Sequence, residues 1–170
     1  MCTRPLARLA ALALFVCAVA PSLSAQTETK LTASDGAAED EFGYSVSVSE
    51  EVALVGAFGD DDNGGVFSGS AYVFRRAGNA WVEEAKLTAS DGGAANFFGY
   101  SVSVSGNVAL AGALRNNGRG AAYVFRRAGD AWVEEAKLTA SDNPSYANFG
   151  NSVSVSGDVA LIGAYRSDFF

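Results

Sequence analysis

The chain repeats itself. Lys30-Leu31-Thr32-Ala33-Ser34-Asp35 recurs at Lys86–Asp91 and at Lys137–Asp142. Phe42-Gly43-Tyr44-Ser45-Val46-Ser47-Val48-Ser49 recurs at Phe98–Ser105, and at Phe149–Ser156 with Asn151 in place of the tyrosine. Val52-Ala53-Leu54-Val55-Gly56-Ala57 recurs with one change each at Val108–Ala113 and Val159–Ala164. Ala71–Gly92 and Ala122–Asn143 differ at two of 22 positions. The period is 56 residues and then 51, and the whole difference falls between Ala57 and Ala71, against Ala113 and Ala122. Length variation confined to one connection marks that connection as a surface loop. A repeat of this size is a supersecondary unit that must bury its faces against its neighbours.

Each unit reads as four short strands. Tyr44–Ser49 alternates strictly, with Tyr44, Val46 and Val48 on one face and serines on the other. Val52–Ala57 is apolar on both faces and belongs inside a sheet. Ala71–Arg76 turns polar at its end, and Ala77-Gly78-Asn79-Ala80 makes a tight turn. In Trp81–Ala89, period-two counting puts Trp81, Ala85, Leu87 and Ala89 on one face, with Val82, Glu84, Lys86 and Thr88 on the other. That half-polar pattern suits an outer strand. Four strands at this period, rich in Val, Ala, Tyr and Phe with Gly at turns, predict an all-β fold of β-propeller blades of four antiparallel strands. A flat meander or sandwich is the plainer alternative.

Export follows from the first 25 residues. Arg4 and Arg8 precede the apolar stretch Leu9–Ala20, and Pro21–Ala25 supplies small residues for cleavage before Gln26. Both cysteines, Cys2 and Cys17, lie in this segment, so the mature chain has no disulfide, thiolate site or cysteine nucleophile. With the two arginines removed, ten basic residues face 19 acidic ones, a net charge of −9. That balance speaks against nucleic acid and anionic membranes as partners. The chain contains no histidine. This excludes Ser-His-Asp chemistry, histidine bases and most transition-metal sites.

Phe42-Gly43, then Val55-Gly56-Ala57, then Ala71-Tyr72-Val73-Phe74 resembles the FG-GAP repeat, and the likeness runs from about Lys30 to Ala164. The resemblance implies the blades of the integrin α-subunit propeller, which bind partners and usually do no chemistry. Calcium-binding members of that family carry a D-x-D-x-D-G loop between the FG strand and the GAP strand. Here that connection is Ser49-Glu50-Glu51, Ser105-Gly106-Asn107 or Ser156-Gly157-Asp158. These turns are too short to wrap an ion, so the family's calcium site does not carry over.

Few residues stand out as chemistry. Asp60, Asp61, Asp62 and Asn63, flanked by Gly59 and Gly64-Gly65, are candidate Ca²⁺ ligands. They lack EF-hand spacing, and the second copy, Leu114–Arg119, loses the acids, so a solvated turn is preferred. No other metal, no cofactor and no catalytic residue is assigned. Ser34-Asp35, Ser90-Asp91 and Ser141-Asp142 read as turns in which the Asp caps its own backbone. Glu39-Asp40-Glu41 reads as a solvated loop. Trp81 and Trp132 are expected in packing rather than stacked on sugars. Arg75-Arg76 and Arg126-Arg127 are expected to pair across their hairpins with Glu83-Glu84 and Glu134-Glu135.

The organisation expected is a signal peptide (1–25), a lone outer strand and loop (26–41), a first blade (42–97), a second (98–148) and a partial third (149–170). About two and a half blades make an incomplete ring. The function expected is a secreted, extracellular or periplasmic, non-enzymatic recognition or adhesion module. Its partner would be a protein or glycan at a cell surface or in matrix, met through the loops Phe58–Ser70 and Leu114–Ala121, with no membrane insertion once the signal is cleaved. Self-association through exposed blade faces is also expected. The rival is a propeller enzyme, a glycoside hydrolase or lyase working with two carboxylates. A truncated product with no independent role is the third reading.

Overall fold

A computed structural model of the chain describes residues 28–61, 64–141 and 147–165. The signal segment, Gln26, Asp62, Asn63 and Asp142 lie outside the described residues. Unit 1 is a sheet in the order β1 (Ser45–Ser49), β2 (Val52–Ala57), β3 (Ser70–Ala77), β4 (Ala80–Leu87). Unit 2 repeats it as β5 (Phe98–Ser105), β6 (Val108–Ala113), β7 (Ala121–Ala128), β8 (Ala131–Leu138). Unit 3 contributes a hairpin, β9 (Phe149–Ser156) and β10 (Val159–Ala164). Every ladder is antiparallel. These are propeller blades in an open array.

The second strand is interior, as its apolar run requires: Leu54 and Leu110 are fully buried. The main core lies between units 1 and 2, where Leu54, Val73 and Leu87 of one meet Phe98, Val102, Val104, Tyr123 and Phe125 of the next. Side chains of this size contribute roughly 1.5–3 kcal/mol each when fully buried, so the junction between blades holds much of the stability. Residues 28–33 enter no sheet among the described residues. Leu31 and Ala33 nevertheless pack on Val55, Tyr72 and Phe74, where Leu87 and Ala89 sit against unit 2.

One expectation about the outer strand is corrected. Val73 pairs with Ala85 and Phe74 with Glu83, which leaves Glu84 as the extra residue of a β-bulge. Glu135 is the same in unit 2. An inserted residue reverses the alternation beyond it. Trp81 therefore packs on the Tyr72–Phe74 side, while Ala85, Leu87 and Ala89 face the junction with unit 2.

The serine face of the first strand is a seam between blades. Ser47 Oγ accepts the Val104 N–H at 3.1 Å and Ser49 Oγ the Gly106 N–H at 3.3 Å. Ser103 and Ser105 do the same for Val155 and Gly157. The inner strand is an edge strand, and these hydroxyls satisfy N–H groups that no ladder reaches. Ser45 Oγ donates to the Gly99 carbonyl and Ser101 Oγ to the Gly150 carbonyl, both at 2.7 Å. Those carbonyls lie so close that a Cβ on Gly56 or Gly112 would run into them. The Gly of each GAP segment makes room for the Gly of the next FG segment.

Candidate functional site

The variable connections end on the same face as the segments that lead into each FG strand. Ala95 N–H donates to the Val66 carbonyl and Phe97 N–H to the Phe67 carbonyl, and Gly69 bridges Phe98. Arg119 and Gly120 make the equivalent contacts to Phe149. Loop and FG segment therefore form one surface at each junction.

Asp60 anchors this surface from beneath and is 1% exposed. Its carboxylate accepts from the Tyr72 hydroxyl at 2.7 Å and pairs with Lys86 at 2.9 Å. Asp35 shares the same two partners, at 2.8 and 2.7 Å. In unit 2 the arrangement returns with Asn116 in place of Asp60. Asn116 Nδ2 donates to the Tyr123 hydroxyl, Lys137 donates to Asn116 Oδ1, and Asp91 accepts from the Tyr123 hydroxyl and pairs with Lys137. The repeated Ser-Asp is thus more than a self-capped turn, because its Asp latches the outer segment of one unit to the third and fourth strands of the next. Lys86, first, and Tyr72 hold the Asp35 carboxyl below its ordinary value, against the opposing effect of burial. Burial, then the hydrogen bond to Asp60, push the Tyr72 phenol far up. Burial and Asp91 do the same for Tyr123.

The charged pairs divide differently from expectation. Arg75 meets Glu84 at 2.6 Å and Arg126 meets Glu135 at 2.8 Å across their hairpins, as expected. Glu83 instead accepts from the Ser34 N–H and hydroxyl, and Glu134 from those of Ser90. Arg127 reaches back to Glu84 of unit 1 at 2.6 Å. The bulge residue Glu84 thereby meets an arginine from each of two blades. Burial raises the Glu84 carboxyl, and Arg127 and Arg75 more than offset this, holding it below its ordinary value.

A cluster of aromatic rings spans the same junction. Tyr44 stands 4.6 Å from Phe58 and 5.0 Å from Tyr100, and Phe58 stands 5.7 Å from both Phe97 and Tyr100. Phe67 meets Phe97 at 5.9 Å, and the Arg115 guanidinium lies 5.2 Å over the Phe97 ring. Tyr44 is 51% exposed and Phe67 37%. Phe67 and Phe97 take φ of 58° and 56°, backbone that a bulky residue rarely adopts. The position of Phe97 is left-handed in every unit, but the others carry Glu41 and Asn148. Phe58 is likewise replaced by Leu114 in unit 2. The cluster is therefore local to the junction of units 1 and 2. Sequence reading passed over it because its rings are scattered over 56 residues, although aromatic residues breaking the repeat were a usable signal. Of the candidate calcium ligands, Asp60 is the buried anchor and Asp61 is exposed. Among the described residues, no three acidic, histidine or cysteine side chains converge to hold a metal.

A family model described as the FG-GAP repeat matches residues 26–74, 81–125 and 132–169. The chain belongs to the FG-GAP repeat family. Each match opens on an outer strand segment and runs through the FG and GAP strands that follow it, and the first two reach into the third strand. The FG-GAP repeat so drawn is the latched group described above: Ser34-Asp35 with Tyr72, and Ser90-Asp91 with Tyr123. None of the curated protein sequences searched matches the chain.

Proposed function

We propose that this FG-GAP chain is a secreted, non-enzymatic recognition or adhesion module that holds its partner on the variable-loop face of units 1 and 2. The supporting observation is the aromatic cluster with Arg115, in which Phe58, Phe67, Phe97 and Arg115 depart from the repeat and Phe67 and Phe97 are kept despite unfavourable backbone. Only Tyr44 and Tyr100 of this surface belong to the repeat. Exposed rings beside a guanidinium suit a glycan or a protein with exposed aromatic or acidic groups. FG-GAP repeats are typical of extracellular proteins, and among the described residues no helix is long and apolar enough to cross a membrane. The acid at the centre of the loop face, Asp60, is held by Tyr72 and Lys86 in a packing role that its unit 2 counterpart fills with an amide.

The test is binding of the chain to a printed glycan array and to immobilised matrix proteins, beside Tyr44→Ser, Phe67→Asn and Arg115→Glu. All three positions are exposed, and Asn suits the left-handed backbone at position 67. We expect each variant to bind about tenfold or more weakly at unchanged melting temperature. Equal binding by all three would sink the loop-face reading. Turnover of glycan or ester substrates, lost in Asp61→Asn, would establish the enzyme instead.

A further inference from the structure

Between units 1 and 2 lies an open cleft of about 320 Å³, lined by Arg75, Arg76, Val82 and Glu84 of unit 1 and by Arg127 and Asp130 of unit 2. β3 starts at the variable loop and carries Arg75 and Arg76 at its far end, so the cleft lies away from the loop face. Glu84 divides its carboxylate between two guanidiniums, giving Oε2 to Arg75 Nε and Oε1 to Arg127 Nε, each at 2.6 Å. A carboxylate that served one arginine alone would accept from two of its N–H groups. Shared, it leaves Arg75 Nη2 buried with no acceptor among the described residues. The Trp132 indole N–H, packed at the same junction, is in the same condition. A buried donor left unpaired is costly, and more so when it is charged. The charges are unequal too. Three guanidiniums line the cleft against two carboxylates, in a chain whose net charge is −7. Asp130 is fully exposed and stands 3.5 Å from Arg127 Nη2, and Arg76 Nε is spent on the Gly78 carbonyl. Val82, 54% exposed, adds an apolar wall beside these charges.

We propose that this cleft binds a small monocarboxylic acid with an apolar body. The carboxylate of the ligand accepts from Arg75 Nη2, and its body lies on Val82. One carboxylate sets three negative charges against three positive ones, whereas a divalent oxyanion would exceed them. The guanidinium suits this task because it stays charged and presents its N–H donors in one plane. A cleft of this volume sits at the low end of known ligand pockets, which matches a small acid. Both walls belong to complete four-stranded units. The cleft shares no residue with the aromatic cluster, so this inference stands or falls independently of the proposed partner binding.

Titration of benzoate, benzamide and sulfate into the ¹⁵N-labelled chain, followed through its amide signals, tests it. Benzoate should shift the Val82 and Asp130 amides saturably, with Kd of about 1 mM or below. Benzamide keeps the body without the charge, and sulfate keeps charge without the body. Each should bind at least about tenfold more weakly than benzoate. Arg75→Lys keeps the positive charge but has no Nη2, and should weaken benzoate about tenfold at unchanged melting temperature. Asp130→Asn places in unit 2 the residue that unit 1 carries as Asn79, so the turn accepts it. It removes a competing carboxylate and should tighten benzoate. If Arg75→Lys fails to fold, the three probes and Asp130→Asn still decide. No saturable shift up to about 10 mM benzoate overturns the proposal. So does benzamide or sulfate binding as tightly as benzoate, a folded Arg75→Lys that keeps the wild-type affinity, or an Asp130→Asn that binds benzoate more weakly.

Discussion

At the residue scale the copies act as controls for one another. Ser70 Oγ is buried and meets no partner among the described residues, and unit 2 carries Ala121 at the same position. Removing an unpaired buried hydroxyl recovers its desolvation cost. Ser70→Ala should stabilise by about 0.5–1 kcal/mol, a rise of about 1–4 °C in Tm, readable by calorimetry. Asp60 is informative in the same way. One Tyr72 proton faces two carboxylates, Asp35 and Asp60, whereas in unit 2 the amide of Asn116 donates to the tyrosine and leaves its proton for Asp91. Asp60→Asn should therefore hold or raise Tm. Asp60→Ala should lower stability by about 1–3 kcal/mol, because it strips a buried hydroxyl and an ammonium of an acceptor. Equal losses in the two variants would show that the carboxylate charge is what matters. A solvated turn is what the sequence suggests for Asp60 to Asn63, and at Asp60 burial overturns that.

At the scale of elements, the first strand of each blade carries its seam in its alternation. The valines of β5 fill the junction behind, and the serines of β1 and β5 cap the edge strand ahead. Ser47→Ala removes the acceptor of the Val104 N–H while keeping the backbone path. We expect a loss of about 1 kcal/mol and faster hydrogen exchange at the Val104 amide than at its neighbours in β5. Unchanged exchange there would mean that the hydroxyl is dispensable. The alternation, the FG and GAP motifs and the two-residue turns were all legible in the sequence. The bulge at Glu84 was not, because an inserted residue leaves no mark in composition. It shows only when Phe74 is seen to pair with Glu83 and Val73 with Ala85.

For the whole molecule, the latches and the Glu84 pair set the acid limit. Lys86 holds the Asp35 carboxyl below an ordinary value of 3.8. Burial raises Asp91 and Glu84, but Lys137 and the two arginines bring each below its ordinary value, 3.8 and 4.5. Carboxyls depressed in the folded state add stability that is present above their unfolded pKa and is lost as pH falls through the folded one. Tm should therefore hold down to about pH 5 and fall below about pH 4. A Tm that rose on acidification to about pH 3 would contradict the assignment. The tyrosines set the opposite limit. Burial raises Tyr72 and Tyr123, so their contribution is present below about pH 10 and is lost above it. Millimolar Ca²⁺ should leave Tm unchanged, since the inner turns are short and Asp60 is engaged by Tyr72 and Lys86. A rise of several degrees in thermal melts would redirect attention to Asp61 and its neighbours.

What the sequence by itself determined is the kind of object this is. A repeated alternation, an apolar interior strand and one connection of variable length are local signals, and local signals fix strands, blade order and the face that carries the loops. Tertiary structure decided what the repeated polar residues do. Ser47, Asp35, Glu84 and Arg127 each act on a residue of the neighbouring unit, 37 to 57 positions away for the bonds to Val104, Tyr72 and Arg127, and within one unit's sequence they look like solvated face and turn. The aromatic cluster is a further case, because Tyr44, Phe58 and Phe97 become neighbours only when two blades are laid side by side. Periodicity records which face a residue takes, and only packing between units records what stands opposite it.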